Sequence, residues 1–569
     1  MVVPTTEITV SCARASRHLL EIEVRTPGLL AGAHDFAMPV WTPGSYLVRE
    51  YSRHVEDVTA QDETGRELPW TKVTKNRWRV ELDRDATVVL RYHVYCRDLT
   101  VRTNHVDEQR SYWNGAATYI VSRDRFDAPI AIYVHPLEGQ LVHTSLPHDP
   151  DRDRAWLART IDDACDAPFV CSNAPVERFE ALGVEHVCVL DGTPTDEAST
   201  KALLDELEAC VHAAANVFDG KLPYERYHFF VFADRGGSGG LEHADSCVIH
   251  LPRSWFRDDK KRLDRIGLFA HEHFHAWNVK RIRPVGLATF DYENENYTPD
   301  LWLSEGFTSY YQELVPMLAG LYTREETLNR IAKNVVAVEG IPGRHYLSVA
   351  ESSFDAWIKL YRQDENTKNQ CVSYYDKGAF VAFALDVLIQ SASGGERSLD
   401  DVMRGLWADF QERGAGQSRE LVLRLVNEHA GRDLTEEFEL LIDGRQDAPI
   451  DAWIAQLGLT VERPHGESIA TLDIKTKTVD GCLEVASVDR DGVGASIGLS
   501  PGDELLAIDG ERLRASEWDS SLEGQWRPQQ HVEVLVARRG IVTTLRGALG
   551  EKRKGDAKMI ERNAAQRWR

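Results

Sequence analysis

Three residues close together in the chain can do metal chemistry: His271, Glu272 and His275, in the segment LFAHEHFHAW (268–277). On a helix, four residues advance 400°, so the two histidines lie about 40° apart on one face, one turn along, and both imidazoles can reach one tetrahedral zinc. Glu272 then sits beside the metal, where its carboxylate can take a proton from a water that the metal has acidified toward about pH 7. The same pattern also occurs on solvated helix faces. On a β-strand, His271, His273 and His275 would instead share one side and could form a three-histidine metal set. The flanks favour a helix of more than twenty residues: charges cluster at its start (DDKKRLDR), the apolar LFA precedes the motif, and Pro284 lies just beyond. A second segment, LWLSEGFTSYYQEL (301–314), places Glu305 before a glycine in an apolar-aromatic helical stretch. Glu305 can be the third ligand, leaving the fourth position open for water or substrate.

HExxH with a Trp two residues on, followed by WLxEGF, resembles the gluzincin aminopeptidases, whose third zinc ligand is the glutamate of the second motif, here Glu305. The intervening 29 residues (276–304) are more than in the common aminopeptidases of that clan and are read as an inserted loop. SYYDKGAFVAFAL (373–385) resembles the clan's YxKG motif, which falls on Tyr375, Lys377 and Gly378. The resemblance makes Tyr375 the donor to an oxyanion as a carbonyl becomes tetrahedral. Tyr374 is the neighbour that could be mistaken for it, and without the other motifs an aromatic here reads as core. RGGSGGLEHADSCVI (235–249) resembles the exopeptidase motif in which a glycine-rich strand lies along the substrate and a glutamate holds its free amino group. That motif falls on Gly239, Gly240, Leu241 and Glu242, with His243 where many relatives have Asn.

Together with HxWNVK (275–280) and WTPGSYLVREYSRHV (41–55), these motifs resemble the PDZ-containing glycyl aminopeptidase family over nearly the whole chain. The resemblance implies a multidomain α+β protein with an N-terminal β-saddle domain, a thermolysin-like catalytic domain and a C-terminal PDZ domain. It also implies an aminopeptidase with one zinc ion per chain, removing small N-terminal residues, Gly or Ala, from peptides with a free N-terminus. GCLEVASVDRDGVGASIGLSPGDELLAIDGERL (481–513) resembles a PDZ domain of the bacterial arrangement. Such domains bind peptides by adding a strand to a sheet edge. The expected groove lies beside Gly481, Cys482, Leu483, Glu484 and Val485, for a C-terminal peptide. Packing of this module against the catalytic domain is the equal alternative. Three rival functions stay open: an endopeptidase or an epoxide hydrolase on the same zinc site, and a non-catalytic PDZ scaffold with a structural zinc. The open fourth position argues against the scaffold.

The elements that must position these residues follow from periodicity. Residues 1–173 show short β-branched runs such as HLLEIEV, TVVLRYHVY and IAIYVH between turn residues, an all-β pattern. Residues 174–460 form the expected catalytic domain, first mixed, with strand-like HVCVL, HFFVFA and CVIHL and an amphipathic helix over about 197–218, then helical from about 259. Residues 461–550 return to short strands with glycine-rich turns, including a tight turn at Asp509–Gly510. Residues 551–569, with seven Lys or Arg against three acids, read as a solvated basic tail.

Composition bounds the partners. The 569 residues are 43% hydrophobic and 27% charged, ordinary for a folded protein, which excludes wholesale disorder. Sixty-six basic against 90 acidic residues leave a charge of −24, so nucleic acid is excluded as a partner. Nine scattered cysteines without a CxxC pair imply reduced, mostly buried thiols. No apolar run approaches a membrane span and the first twelve residues do not read as a leader, so a cytoplasmic location is expected.

Overall fold

The computed structural model describes residues 4–194, 196–237, 239–562 and 568. The chain forms two compact units. The first runs from the N-terminus to Tyr297 and adds Leu314–Tyr322 and Leu406–Gln417; the second comprises Thr298–Glu313, Thr323–Gly405 and the chain from Ser418 onward.

The first unit opens with β-structure in three sheets. In the six-stranded one, Thr6–Arg14 lies between Ile130–His135, its parallel partner, and Leu19–Leu29, its antiparallel one. Alternation in TEITVSCAR sends Ile8, Val10 and Cys12 inward, where they pack with Val24, Trp78, Leu90, Tyr92 and Trp113. A five-stranded mixed sheet follows, in the order Val176–Ala181, Val184–Asp191, Arg226–Asp234, Ser246–Pro252, Gly239–Glu242. The parallel pair Val184–Asp191 and Arg226–Asp234 is joined through the helix Glu197–Val217, whose first turn is capped by the Asp196 side chain accepting from Ser199 N. The glycine strand Gly239–Glu242 is an edge strand, antiparallel to Ser246–Pro252 with Leu241 opposite Val248.

The motif-bearing helix spans Asp259–Phe274, sixteen residues rather than the expected twenty or more. Asp258 caps its start, and its C-cap is His275. The early end has a physical cause: the chain turns after His275, bringing the Asn278 carbonyl back to His275 Nδ1 at 2.6 Å. In a continuing helix that carbonyl would point away along the axis.

In the second unit the helix Asp376–Ala392 is buried on all sides from Lys377 to Gln390, as a central helix must be. Arg324–Glu339, Arg419–Ala430 and Ile450–Ala455 pack around it. Buried Asp386 accepts from Tyr310 Oη (2.6 Å), Gln390 Nε2 (2.8 Å), Leu399 N (2.8 Å) and Trp568 Nε1 (3.1 Å). The C-terminal module orders its strands Ile474–Val479, Cys482–Val488, Glu504–Ile508, His531–Arg538, Ile541–Ala548, with the helices Val493–Ile497 and Trp518–Gln525. Its own core contains Leu483, Val485, Leu505, Ile508, Val534 and Trp518. Asp509 and Gly510 both take positive φ, +49° and +82°, between paired Ile508 and Glu511, the geometry of a two-residue I′ turn. The module packs within this unit: Asn369 donates to Val488 O at 2.8 Å and accepts from Arg490 N at 2.9 Å.

Two expectations are corrected here. The groove beside Gly481, Cys482, Leu483, Glu484 and Val485 is not at a free edge, because Cys482–Val488 is flanked by Ile474–Val479 and, through Glu484, by Glu504–Ile508. Among the described strands the free edge on that side is Ile474–Val479. The described residues of the basic tail, 551–562 and 568, are not a solvated arm either; 563–567 and 569 lie outside the described residues. Gly550–Arg553 pairs with Ser468–Thr471, Lys558–Glu561 pairs with Leu459–Glu462, and Trp568 is fully buried. Its charges line strands whose alternate residues, such as Met559, point inward.

Trp568→Ala should cost about 3–5 kcal/mol of unfolding free energy, the range for emptying a buried aromatic site. Trp568→Phe should cost less, because it removes chiefly the bond to Asp386. Urea titrations of the two variants check the order.

Candidate active site

The motif helix buries His271, Glu272 and His275 together. A carbonyl can only accept, so His275 Nδ1 is the donor to Asn278 O and its Nε2 carries the lone pair. That Nε2 lies 3.0 Å from His271 Nε2. Two ligands at about 2.0–2.1 Å from a tetrahedral zinc stand about 3.3 Å apart, so the pair lies within a few tenths of an ångström of the spacing a shared ion requires. The carbonyl behind His275 is the kind of outer partner that fixes a ligand imidazole's tautomer.

Glu242 and Glu272 bring further donor atoms, which with one from His275 lie within 4.8 Å of one another. The glycine strand explains how two carboxylates fit. A Cβ on Gly240 would sit 2.1 Å from the Glu272 carboxylate, so a side chain there would displace that carboxylate. Glu242, two residues on, projects from the same side of the strand. It is 4% exposed, and its Oε1 has no hydrogen-bond partner among the described residues. A buried, unpartnered carboxylate oxygen calls for a cation. Two imidazole lone pairs beside carboxylates are the nitrogen and oxygen donors that zinc takes, so the residues fit that ion.

The alternating residues turn away. Leu241 enters a core patch with Phe230, Phe232 and Val248, and His243 Nδ1 lies 3.3 Å from Asp166 Oδ1. Leu241 and His243, expected at the substrate, therefore send their side chains to the other face, a correction that follows from the two-residue period of a strand. Asp166 also accepts from Ala244 N at 2.8 Å and from buried Lys280. Burial alone would raise the Asp166 pKa, but Lys280 and then His243 outweigh it and hold the carboxyl well below its usual range.

His273 settles the rival metal set. Its Nε2 lies 2.6 Å from Tyr224 Oη, which lies 3.0 Å from His186 Nε2, while His186 Nδ1 lies 3.0 Å from Val184 O. Burial holds His273 well below its ordinary pKa and takes His186 down to about 4. On a helix His273 lies about 200° from His271, so it serves the packing of the helix and not the ion.

In the second unit Glu305 is buried in a π-helical turn, Trp302–Gly306, that leads into the helix Phe307–Leu318. Such turns are frequent at functional sites. Gly306 and Gly378 abut: a Cβ on either would lie 2.3–2.6 Å from the other's Cα. This crossing brings the segments of Glu305 and Tyr375 together. Burial raises the Tyr375 phenol well above its usual pKa, and the Glu305 charge raises it further, so it stays protonated and able to donate. Its Oη lies 3.4 Å from Tyr361 Oη. Tyr374 is fully buried beside it.

Sequence reasoning missed Asp166 and the His186–Tyr224 pair, which carry no local signal. Asn278 and Lys280 stood in a quoted motif, but their partners are visible only in the fold.

The fold and the histidine-glutamate cluster together define a peptidase. A family model described as M61 glycyl aminopeptidase matches residues 264–381, and one described as the Peptidase M61 N-terminal domain matches residues 7–173. The chain belongs to the M61 glycyl aminopeptidase family, with its N-terminal domain. A solved aminopeptidase N family protein from Idiomarina loihiensis is similar at 26% identity and a TM-score of 0.92, with 99% of each chain covered. An M1 zinc metallopeptidase mutant from Deinococcus radiodurans, solved with a Tyr-Ser-Ala substrate, matches at 17% identity and a TM-score of 0.47, over 79% of this chain and 95% of that one. Among curated proteins the comparison finds no match.

Lys377, the lysine of the YxKG motif, gives a pH test. Burial lowers its pKa to about 8 from 10.5, against the opposing pull of Asp447. Between those two values the unfolded chain holds more protons than the folded one, so stability rises with pH there. Relative to Lys377→Met, the wild-type urea midpoint should climb from pH 8 to pH 10; a flat difference would exclude a Lys377 pKa lowered by burial.

Proposed function

We propose that this protein is a zinc aminopeptidase that removes small N-terminal residues, Gly or Ala, from peptides. The observation that carries the reading is the His271–His275 nitrogen pair beside Glu272, with Glu242, whose Oε1 has no partner among the described residues, projecting from the neighbouring edge strand. His271, His275 and Glu305 would hold one zinc per chain; Glu305 is assigned from the sequence motif. When bound, the ion acidifies water and polarises the scissile carbonyl.

The chain's own residues do the rest. Glu272 takes the proton of the attacking water and passes it to the leaving amine. Tyr375, protonated at any working pH, donates its phenolic proton to the oxygen that gains charge. Glu242 pairs with the substrate's α-ammonium and so counts one residue from the cut. The edge strand Gly239–Glu242 offers backbone groups for an extended peptide to lie along. We further read residues 1–173, 174–460 and 461–550 as the N-terminal, thermolysin-like catalytic and PDZ domains. A peptide adding a strand to the PDZ domain would use the free edge at Ile474–Val479.

Glu272→Gln should lower kcat on glycyl anilides by about 10²–10⁴-fold, the usual contribution of a general base, while metal analysis still finds one zinc per chain. Retained turnover would remove Glu272 from the chemistry. Zinc bound with no activity on any aminoacyl or epoxide substrate would favour the scaffold alternative. Glu242→Ala should raise KM for free-amine substrates by about 10–100-fold, the worth of a charge-assisted bond. Cleavage of N-acetylated peptides as readily as free ones would point to an endopeptidase instead.

A further inference from the structure

We propose that Gly44, in the N-terminal β domain, is a positioning residue that aims the Glu242 carboxylate at the substrate amine; the inference rests on the amine-anchor reading above. A Cβ built on Gly44 would lie 2.4 Å from Glu242 Oε1, 2.5 Å from Oε2 and 2.6 Å from the carboxyl carbon. The carboxylate thus occupies the space that any side chain at position 44 would take. The φ of Gly44, +83°, lies in the left-handed region, so its backbone is set for glycine independently of the carboxylate.

The loop around Gly44 is built as a fixed wall. Residues 41–46 are all buried. Val40 N donates to Tyr292 O at 2.8 Å, Trp41 Nε1 donates to Asp291 O at 2.8 Å, and Ser45 N closes a turn onto Thr42 O at 3.1 Å. Arg49 Nη2 holds Ser45 Oγ at 2.7 Å. Behind the loop, Trp41 stacks near Tyr292 at 6.2 Å and meets Phe290 edge-on at 5.5 Å.

A wall of this kind solves a specific problem. An anchor for an ammonium must be held in direction yet keep an acceptor oxygen available. A hydrogen-bond donor from the chain would orient Glu242 but compete with the substrate for its lone pairs. Contact with the Gly44 Cα limits the side chain's rotamers, and Oε1 has no hydrogen-bond partner among the described residues. The N-terminal domain thereby takes part in recognising the amine, although the motif that names the anchor lies about two hundred residues further along the chain.

The test is a set of full-length, zinc-loaded variants assayed on a glycyl coumarin amide, with zinc content and melting temperature recorded for each. Gly44→Ala should raise KM about tenfold or more, with kcat within about threefold and zinc unchanged, because a displaced anchor loses a charge-assisted bond of that worth. Glu242→Asp withdraws the carboxylate by about one C–C bond, roughly 1.5 Å. In that background Gly44→Ala should change KM less than threefold. A Gly44→Ala KM within twofold of wild type, or the same KM factor in both backgrounds, would overturn the inference. If Gly44→Ala does not fold, melting of the double variant Gly44→Ala/Glu242→Ala decides. A double variant that folds, melting below Glu242→Ala by no more than the strain of alanine at positive φ, supports overlap with the carboxylate; a double variant as unfolded as Gly44→Ala overturns it. Glu242→Ala with an unchanged KM would sink the amine-anchor reading and this inference with it, whereas an impaired Glu242→Ala beside a normal Gly44→Ala sinks this inference alone.

Discussion

Buried negative charge is the constraint on which the first unit's site depends. Glu242 and Glu272 lie in the interior, a few ångströms from His275. Burying a carboxylate without a counter-charge is far more expensive than a fold of ordinary stability tolerates. The buried ammonium carried just beyond the motif helix, Lys280, is already committed to Asp166. The His271 and His275 nitrogens beside these glutamates are donors that suit a divalent cation. Pairing Lys280 with Asp166 has a second consequence. It ties the turn after the motif helix to the end of the β domain.

Close approach is the second organising principle, and glycine makes it possible at three places. Gly240 admits Glu272, Gly44 admits Glu242, and Gly306 and Gly378 let the segments of Glu305 and Tyr375 meet backbone to backbone. In each case the missing side chain makes room for a functional group or for the segment that carries it. These glycines lie in one strand, two helical segments and one buried loop, so flexibility is not their common purpose. What they share is that a single added carbon would overlap a buried carboxylate or the neighbouring backbone.

Much of the site was legible because its signals are local. The HExxH spacing, the charge gradient along 259–282, the glycine before Glu242 and the period-two runs of the β domain all act within a few residues, where helix and strand geometry dictate which side chains share a face. The same local rule, applied to GGLEH, separates Gly240 and Glu242 from Leu241 and His243 once the segment is known to be a strand. Reading all five as one substrate surface ignored that alternation.

What the chain by itself determined, then, was the local facing of His271, His275, Glu272 and Glu242, together with the character of each stretch as strand or helix. Tertiary structure alone decided that His273 pairs with Tyr224, that Asp166 meets Lys280 across more than a hundred residues, and that Cys482–Val488 is interior to its sheet. It likewise decided that the basic C-terminal segment pairs as strands and that Gly44 stands against Glu242. The division has one physical cause. Facing along an element follows from backbone periodicity, which a short segment contains in full. Pairing between elements depends on which surfaces bury each other, and that is a property of the whole chain's packing.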